Sequence, residues 1–285
     1  MTYFLRTGLN SALTAFAEGK AAAAGAADFS SRLRLRFDFI LSRLLRLGRL
    51  PGCNARRRGR MRDGLVVNYR LNRGDLQSLR EVLVEEVYRC DLPAAPETVL
   101  DLGANIGLAS LWFARLIRPD QTGSDPIQPL KIVAVEPMPE NAQLVELNFR
   151  ENRIPGEVIQ AAAGPTDGEA WFESRLESNL GRLVAEGDVK GPRIRVPIIG
   201  IHSLLARFPG GAVDLVKMDI EGGEAELLGG DTGWLRRVKM LIVEWHDDRA
   251  DSAPLIRNVE ASGFRNHHIN TGRQDNLSLF LRNQS

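Results

Sequence analysis

The stretch Val99-Leu-Asp-Leu-Gly-Ala-Asn-Ile-Gly107 constrains the fold of this chain more than any other. An apolar segment ends in an acidic residue, turns through glycines at 103 and 107, and enters the apolar-periodic run Leu108-Ala-Ser-Leu-Trp-Phe-Ala-Arg-Leu-Ile117. That pattern is a strand, a tight turn and a helix start. Such units open nucleotide-type sites in doubly wound α/β domains, because glycine lets the backbone approach a ligand and the first helical turn presents free N–H groups to it.

The downstream sequence repeats the alternation. Strands are expected at 131–135, 158–163, 213–219 and 240–243, with helices at 140–151, 201–208, 224–234 and 253–262. Residues 264–270 and 277–281 read as a closing strand pair, and 174–200 as irregular, with Ser178-Asn-Leu-Gly181 able to line a site. Strands alternating with helices imply an α/β fold with a doubly wound, mostly parallel sheet.

Upstream, the charge balance shifts. Residues 1–70 carry 14 Lys/Arg against 4 Asp/Glu, and residues 71–285 carry 23 against 32. Residues 1–63 therefore form a basic, partly helical N-terminal extension. Its helix, within 30–50, interleaves leucine and phenylalanine with arginine and stops at Pro51-Gly52, and Arg56-Arg-Arg-Gly-Arg60 follows as a solvated linker. The extension could meet an anionic membrane surface peripherally. No aromatic residues interleave the arginine run to stack bases, which disfavours nucleic acid. The main domain is expected over 64–285, with 64–92 as a lid containing a strand at 64–71 and a helix at 75–89 capped by Asp75. Cys53 and Cys90 are the only cysteines and have no metal or disulfide spacing, which points to a reducing, cytoplasmic setting. A secretion signal is disfavoured, since Glu18 and Lys20 interrupt the place of its apolar core.

The glycine turn selects its ligand by what it lacks. A pyrophosphate calls for Gly-x-Gly-x-x-Gly, yet Asn105 stands at the second glycine position and there is no third. An acidic residue before the turn, Asp101, is awkward for a dianion and suits a cofactor bearing an ammonium and a sulfonium, such as S-adenosylmethionine. Glu136, at the tip of the next strand, fits the acceptor of ribose hydroxyls. Lys217-Met-Asp-Ile-Glu-Gly-Gly-Glu224 and Val243-Glu-Trp-His246 end two further strands, where open α/β sheets bind ligands. Asp219 or His246 could serve as general base with Glu244 orienting it, and Asp219, Glu221, Glu244 and His246 could hold a divalent metal. His202, His267 and His268 lie elsewhere in the pattern, and Trp245 faces away from its neighbours Glu244 and His246.

Taken in order and spacing, Asp-Leu-Gly-Ala-Asn-Ile-Gly (101–107), Val-Glu-Pro (135–137) before a helix with Asn141 and Asn148, Lys-Met-Asp-Ile-Glu-Gly-Gly-Glu (217–224) and Glu-Trp-His (244–246) resemble the FkbM-type family of methyltransferases. The resemblance spans about 64–282. It implies a Rossmann-like methyltransferase fold with a seven-stranded sheet, S-adenosylmethionine as cofactor, and O-methylation of a hydroxyl on a small molecule such as a sugar, glycolipid or secondary metabolite. By the same resemblance Asp101, Gly103, Asn105, Gly107, Glu136 and Asp219 line the cofactor, with Asp219 and Glu221 at the floor of the active site. Two alternatives are an NAD(P)-dependent oxidoreductase and an RNA methyltransferase using the basic N-terminus.

Overall fold

The computed structural model describes residues 14–45, 54–117, 130–173, 182–184, 193–269 and 276–283. They form two compact units that divide between Val87 and Tyr88.

In the first unit, helix α1 covers residues 14–24 and α2 spans Phe29–Leu45. α2 buries Ser31, Leu35, Asp38, Phe39 and Ser42, one face at helical spacing. Gly19 lets α1 approach closely: a Cβ there would lie 2.8 Å from the Arg36 carbonyl oxygen. The arginine run read as a solvated linker is instead a strand, β1 (Arg56–Arg60), antiparallel to β2 (Val66–Arg70). Every residue of β2 is buried, so its backbone groups need a ladder partner, and β1 supplies one. Gly59 packs on Leu35 while Arg56, Arg58 and Arg60 remain exposed. This hairpin straddles the boundary expected at 63/64, and the compact unit continues to Val87. α3 (Arg73–Leu79) runs into one π-helical turn, Arg80–Val84. Its cap is Asn72, whose side chain accepts from the Asp75 N–H at 2.8 Å, rather than Asp75 as expected. Asp75 is turned inward, where Arg70 claims it.

The second unit starts with β3 (Thr98–Leu102), α4 (Leu108–Ile117), β4 (Lys131–Val135), α5 (Pro139–Glu151) and β5 (Gly156–Ile159). β6 (Ala162–Gly164), β7 (Gly168–Glu173), β8 (Arg182–Val184) and β9 (Arg193–Gly200) follow, then α6 (Ile201–Leu205) and β10 (Val213–Met218). α7 (Glu224–Gly229), β11 (Val238–Glu244), α8 (Ser252–Ala261), β12 (Phe264–His268) and β13 (Leu277–Arg282) complete it.

Seven strands make one sheet in the order β12-β13-β11-β10-β3-β4-β5, in which β13 alone runs against the others. The chain winds outward from β3 to β5, then returns to lay β10 on the other side of β3. Between β3 and β10 the order therefore reverses, and the crevice at their carboxyl ends is the place where open sheets bind ligands. Leu100, Leu102, Val133, Val135, Val216, Met218, Leu241 and Val243 fill one face of the sheet, packed with Leu204, Leu227 and Trp234. At roughly 1.5–3 kcal/mol for each fully buried large apolar side chain, this layer holds the strand ends in fixed register.

The strand expected at 158–163 is two strands in different sheets. β5 closes the edge of the large sheet, while β6 joins a four-stranded sheet ordered β6-β9-β7-β8 around Ala162, Phe172 and Val196. That smaller sheet also orders part of 174–200, expected as irregular. Ser178–Gly181 lie outside the described residues. Among the described residues no helix is long and apolar enough to cross a membrane.

Candidate active site

The turn after β3 is shaped by contact with the neighbouring strand. Gly103 has φ +76°, and a Cβ on it would lie 1.7 Å from the Asp219 carbonyl oxygen, so only glycine fits. The Asp219 N–H in turn donates to the Leu102 carbonyl (3.1 Å). Asn105 and Gly107 also adopt positive φ, and Gly107 lets the start of α4 rest on Val145 of α5. The result is a tight loop at the switch point.

Glu136, just past β4, ties this loop to α5. One carboxylate oxygen accepts from the Asn105 N–H (2.9 Å), and the other from the Met138 N–H (3.0 Å) and Asn141 Nδ2 (3.1 Å). Burial pushes its carboxyl up to about 7, partly countered by those donors. A carboxylate has about four acceptor positions and three are used, so capacity for another donor remains.

Beneath the loop lies a buried ion pair. Asp101 is fully buried; one oxygen accepts from Ser110 Oγ at 2.7 Å, and the other lies 3.2 Å from Lys217 Nζ. Asp101 and Lys217 are cross-strand partners in the β3/β10 register. Lys217 also donates to the Gly103 carbonyl (2.8 Å) and lies 3.6 Å from Asp219. Burial opposes its charge, yet Asp101, Tyr88 and Asp219 outweigh that and hold its pKa above the usual lysine value. Asp101 thus supports the loop from below and has no surface to offer a ligand. The sequence motif contains Lys217 without marking its role. The signal was present: a lysine inside an apolar parallel strand demands a buried partner.

The third component is His246. Its Nδ1 lies 3.2 Å from Glu224, and its Nε2 lies 3.7 Å from Asp219 and 3.8 Å from Glu221. Glu224 is itself fixed by the Ile220 N–H (2.9 Å) and the Gly222 N–H (2.8 Å). Burial would raise the Glu224 pKa, but His246 and the Ile220 N–H bring it below the ordinary value. An ionised carboxylate only accepts, so Nδ1 carries hydrogen and Nε2 faces Asp219 and Glu221. Burial opposes the imidazolium, and the bond to Glu224 with the charges of Asp219, Glu224 and Glu221 raises it to about 9. The carboxylate bonded to His246 is therefore Glu224, not the expected Glu244. Glu244 accepts from Asn276 Nδ2 at 3.2 Å, and burial together with the Asp219 charge raises it to about 8.

Glu221 adopts φ +55° and lies 3.6 Å from Arg249; burial and the Asp219 charge raise its carboxyl to about 7. Asp219, Glu221 and His246 each offer a ligand atom within 4.8 Å of the others, an arrangement that could hold a divalent cation. Tyr88 is buried beside this cluster, its hydroxyl held protonated by burial while the charges of Lys217 and Asp219 act on it in opposite senses. Nothing in the sequence distinguished it. Trp245 points away, donating to Ser278 Oγ at 2.9 Å and packing edge-on against Phe280. His202 on α6 and His267 on β12 are exposed and outside the cluster.

The methyltransferase FkbM domain matches residues 101–266, from the acidic end of β3 to β12. The chain belongs to the FkbM methyltransferase family. The match covers the glycine loop, Glu136, the 217–224 motif and His246 together, and it sets aside the oxidoreductase alternative. This family member is 25% identical over 239 residues to the 31-O-demethyl-FK506 methyltransferase FkbM of Streptomyces tacrolimicus, covering 72% of the present chain and 87% of the relative. Among solved structures, it is similar to a methyltransferase from Geobacter sulfurreducens at 15% identity (TM-score 0.36, 74% and 80% of the two chains). A cofactor-bound protein from MTB, Rv0187, is likewise 15% identical (TM-score 0.39, 74% and 99%).

Proposed function

We propose that this methyltransferase transfers the methyl group of S-adenosylmethionine to a hydroxyl of a small molecule. The observation that carries the reading is the convergence, at one switch point, of a loop with no room for a side chain at Gly103, a buried carboxylate at Glu136 with unused acceptor capacity, and a carboxylate-bound imidazole at His246. When bound, the cofactor supplies an electrophilic methyl on a positively charged sulfur. The residues present fit it: Gly103, Asn105 and Gly107 shape the loop, Glu136 would accept from ribose hydroxyls, and Asp219 would contribute negative charge near a cation. Asp101 supports the loop through Lys217 rather than by direct contact.

His246 Nε2 serves as the base that takes the proton of the acceptor hydroxyl, with Glu224 holding the opposite ring nitrogen protonated. A second positive charge in the crevice opposes the imidazolium and favours the neutral, proton-accepting form. Asp219 and Glu221 then stabilise the imidazolium that forms. The O-methyl reading draws on the Streptomyces relative, named as a 31-O-demethyl-FK506 methyltransferase, as well as on this base. Transfer of labelled methyl to candidate alcohols tests it: full turnover in both His246→Ala and Asp219→Asn contradicts the assignment.

A second reading has Asp219, Glu221 and His246 holding a divalent cation where the proton otherwise sits, supported by the spacing of their ligand atoms. Loss of turnover on chelation, restored by added magnesium or manganese, favours it. Turnover unaffected by chelation leaves the proton-transfer role alone.

A further inference from the structure

The first unit carries a feature that methyl transfer does not use. α2 has two apolar faces. Leu35 and Phe39 are buried on one, and on the opposite face Phe29, Leu33, Phe37 and Leu41, each four residues from the next, are exposed by 78%, 45%, 57% and 36%. Phe16 of α1 adds to this face beneath the guanidinium of Arg36, which lies 4.8 Å from its ring centre. These are five of the six exposed large apolar side chains among the described residues, so the surface is concentrated rather than scattered.

Its surroundings are predominantly basic, with Asp28 at the N-terminal end of α2 as an exposed acidic exception. Arg32, Arg34 and Arg36 are all exposed on α2, while Asp38, its only acidic residue, is buried against Tyr69 Oη (2.7 Å) and Arg57 Nε (3.4 Å) and offers no negative charge to the outside. β1 packs against the buried face of α2, with the Arg60 N–H 3.0 Å from Ser31 Oγ and Gly59 on Leu35, and adds exposed Arg56, Arg58 and Arg60 to the basic character of this unit. A nonpolar stripe bordered by arginine complements an interface that is apolar inside and anionic outside. A second copy would bring like charges together, which opposes self-association through this face.

We propose that the outward face of α2 docks on an anionic lipid bilayer, with Phe29, Leu33, Phe37 and Leu41 at the headgroup–acyl boundary and Arg32, Arg34 and Arg36 against lipid phosphates. The attachment is peripheral and does not depend on the identity of the cofactor or acceptor.

The test is cosedimentation of the full chain with vesicles of equal parts phosphatidylcholine and phosphatidylglycerol, beside pure phosphatidylcholine vesicles. The expected result is binding to the anionic vesicles only, weakened by added salt, weakened by roughly tenfold or more in Phe29→Asp/Phe37→Asp, and weakened in Arg32→Glu/Arg36→Glu. All four side chains are exposed, and thermal melting of each variant verifies that its fold is retained. Absence of binding to anionic vesicles, equal binding to both compositions, or binding unchanged by the phenylalanine replacements overturns the proposal. A concentration-dependent dimer abolished by Phe29→Asp/Phe37→Asp, without vesicle binding, also overturns it and assigns the face to self-association.

Discussion

Two buried charge clusters, one in each unit, are built from the same residue types and arranged to opposite ends. In the first unit Asp75 takes three donors from one residue: the Arg70 N–H at 2.7 Å, Nε at 2.9 Å and a terminal guanidinium nitrogen at 2.8 Å. Charge, geometry and hydrogen bonding are matched, as a structural pair requires. In the second unit Nε2 of His246 stands 3.7 and 3.8 Å from Asp219 and Glu221, beyond hydrogen-bond distance, while Glu221, Glu244 and Glu136 are all raised toward neutrality by burial. Excess carboxylate and an imidazole with one ring nitrogen turned toward them form an arrangement suited to receiving a cation or moving a proton. The contrast teaches that burial alone does not mark function, whereas bonding capacity left over after folding does.

Replacing each cluster's key member should separate the two roles. The largest effect is expected from Asp75→Ala, which removes the buried carboxylate that holds the Arg70 guanidinium and should cost about 3–5 kcal/mol in denaturant-unfolding stability. Turnover per folded molecule should be unchanged. His246→Ala should do the reverse, lowering methyl transfer by roughly 10²–10⁴ with little change in melting temperature. If Asp75→Ala impairs chemistry or His246→Ala mainly unfolds the protein, the comparison fails.

Gly103→Ala tests the loop that joins the second cluster to its ligand. Its cost should exceed the ~1–2 kcal/mol of left-handed backbone alone, since the added methyl meets the Asp219 carbonyl. Calorimetric titration should show weakened cofactor binding in whatever fraction remains folded. The smallest expected effect is a displacement in pH dependence. The base form of His246 is the deprotonated one, so the rate should rise with pH, with a midpoint between 6.5 and about 9. Glu224→Gln removes a charge that favours the imidazolium, and the rising limb should move to lower pH. A limb that stays in place shows that another group titrates.

The centre of the large sheet was legible because β3, β4, β10 and β11 are short, mostly apolar runs that each reach a glycine or an acid at the carboxyl end, and the 101–107 and 217–224 motifs fell at strand ends that the topology makes neighbours. The grouping of Gly103, Glu136, Asp219, Glu221 and His246 into one candidate site was legible for the same reason. Partner identity was not, because a histidine's bond to Glu224 over Glu244 depends on how the loop 219–223 turns, through positive φ at Glu221 and Gly222. The burial of Asp101 likewise follows from strand register with Lys217, which spacing within one strand does not encode. β1 was hidden by its arginines: an edge strand can be charged on its exposed face, and its existence follows from the apolar β2 beside it.

The central claim, that the crevice between β3 and β10 holds S-adenosylmethionine beside His246, is tested most directly by calorimetric titration of the protein with S-adenosylhomocysteine, with NAD as control. Saturable binding of S-adenosylhomocysteine at one site per chain is expected, weakened by Gly103→Ala, with none of NAD. Absence of S-adenosylhomocysteine binding to the folded protein, or binding indifferent to Gly103→Ala, would contradict it.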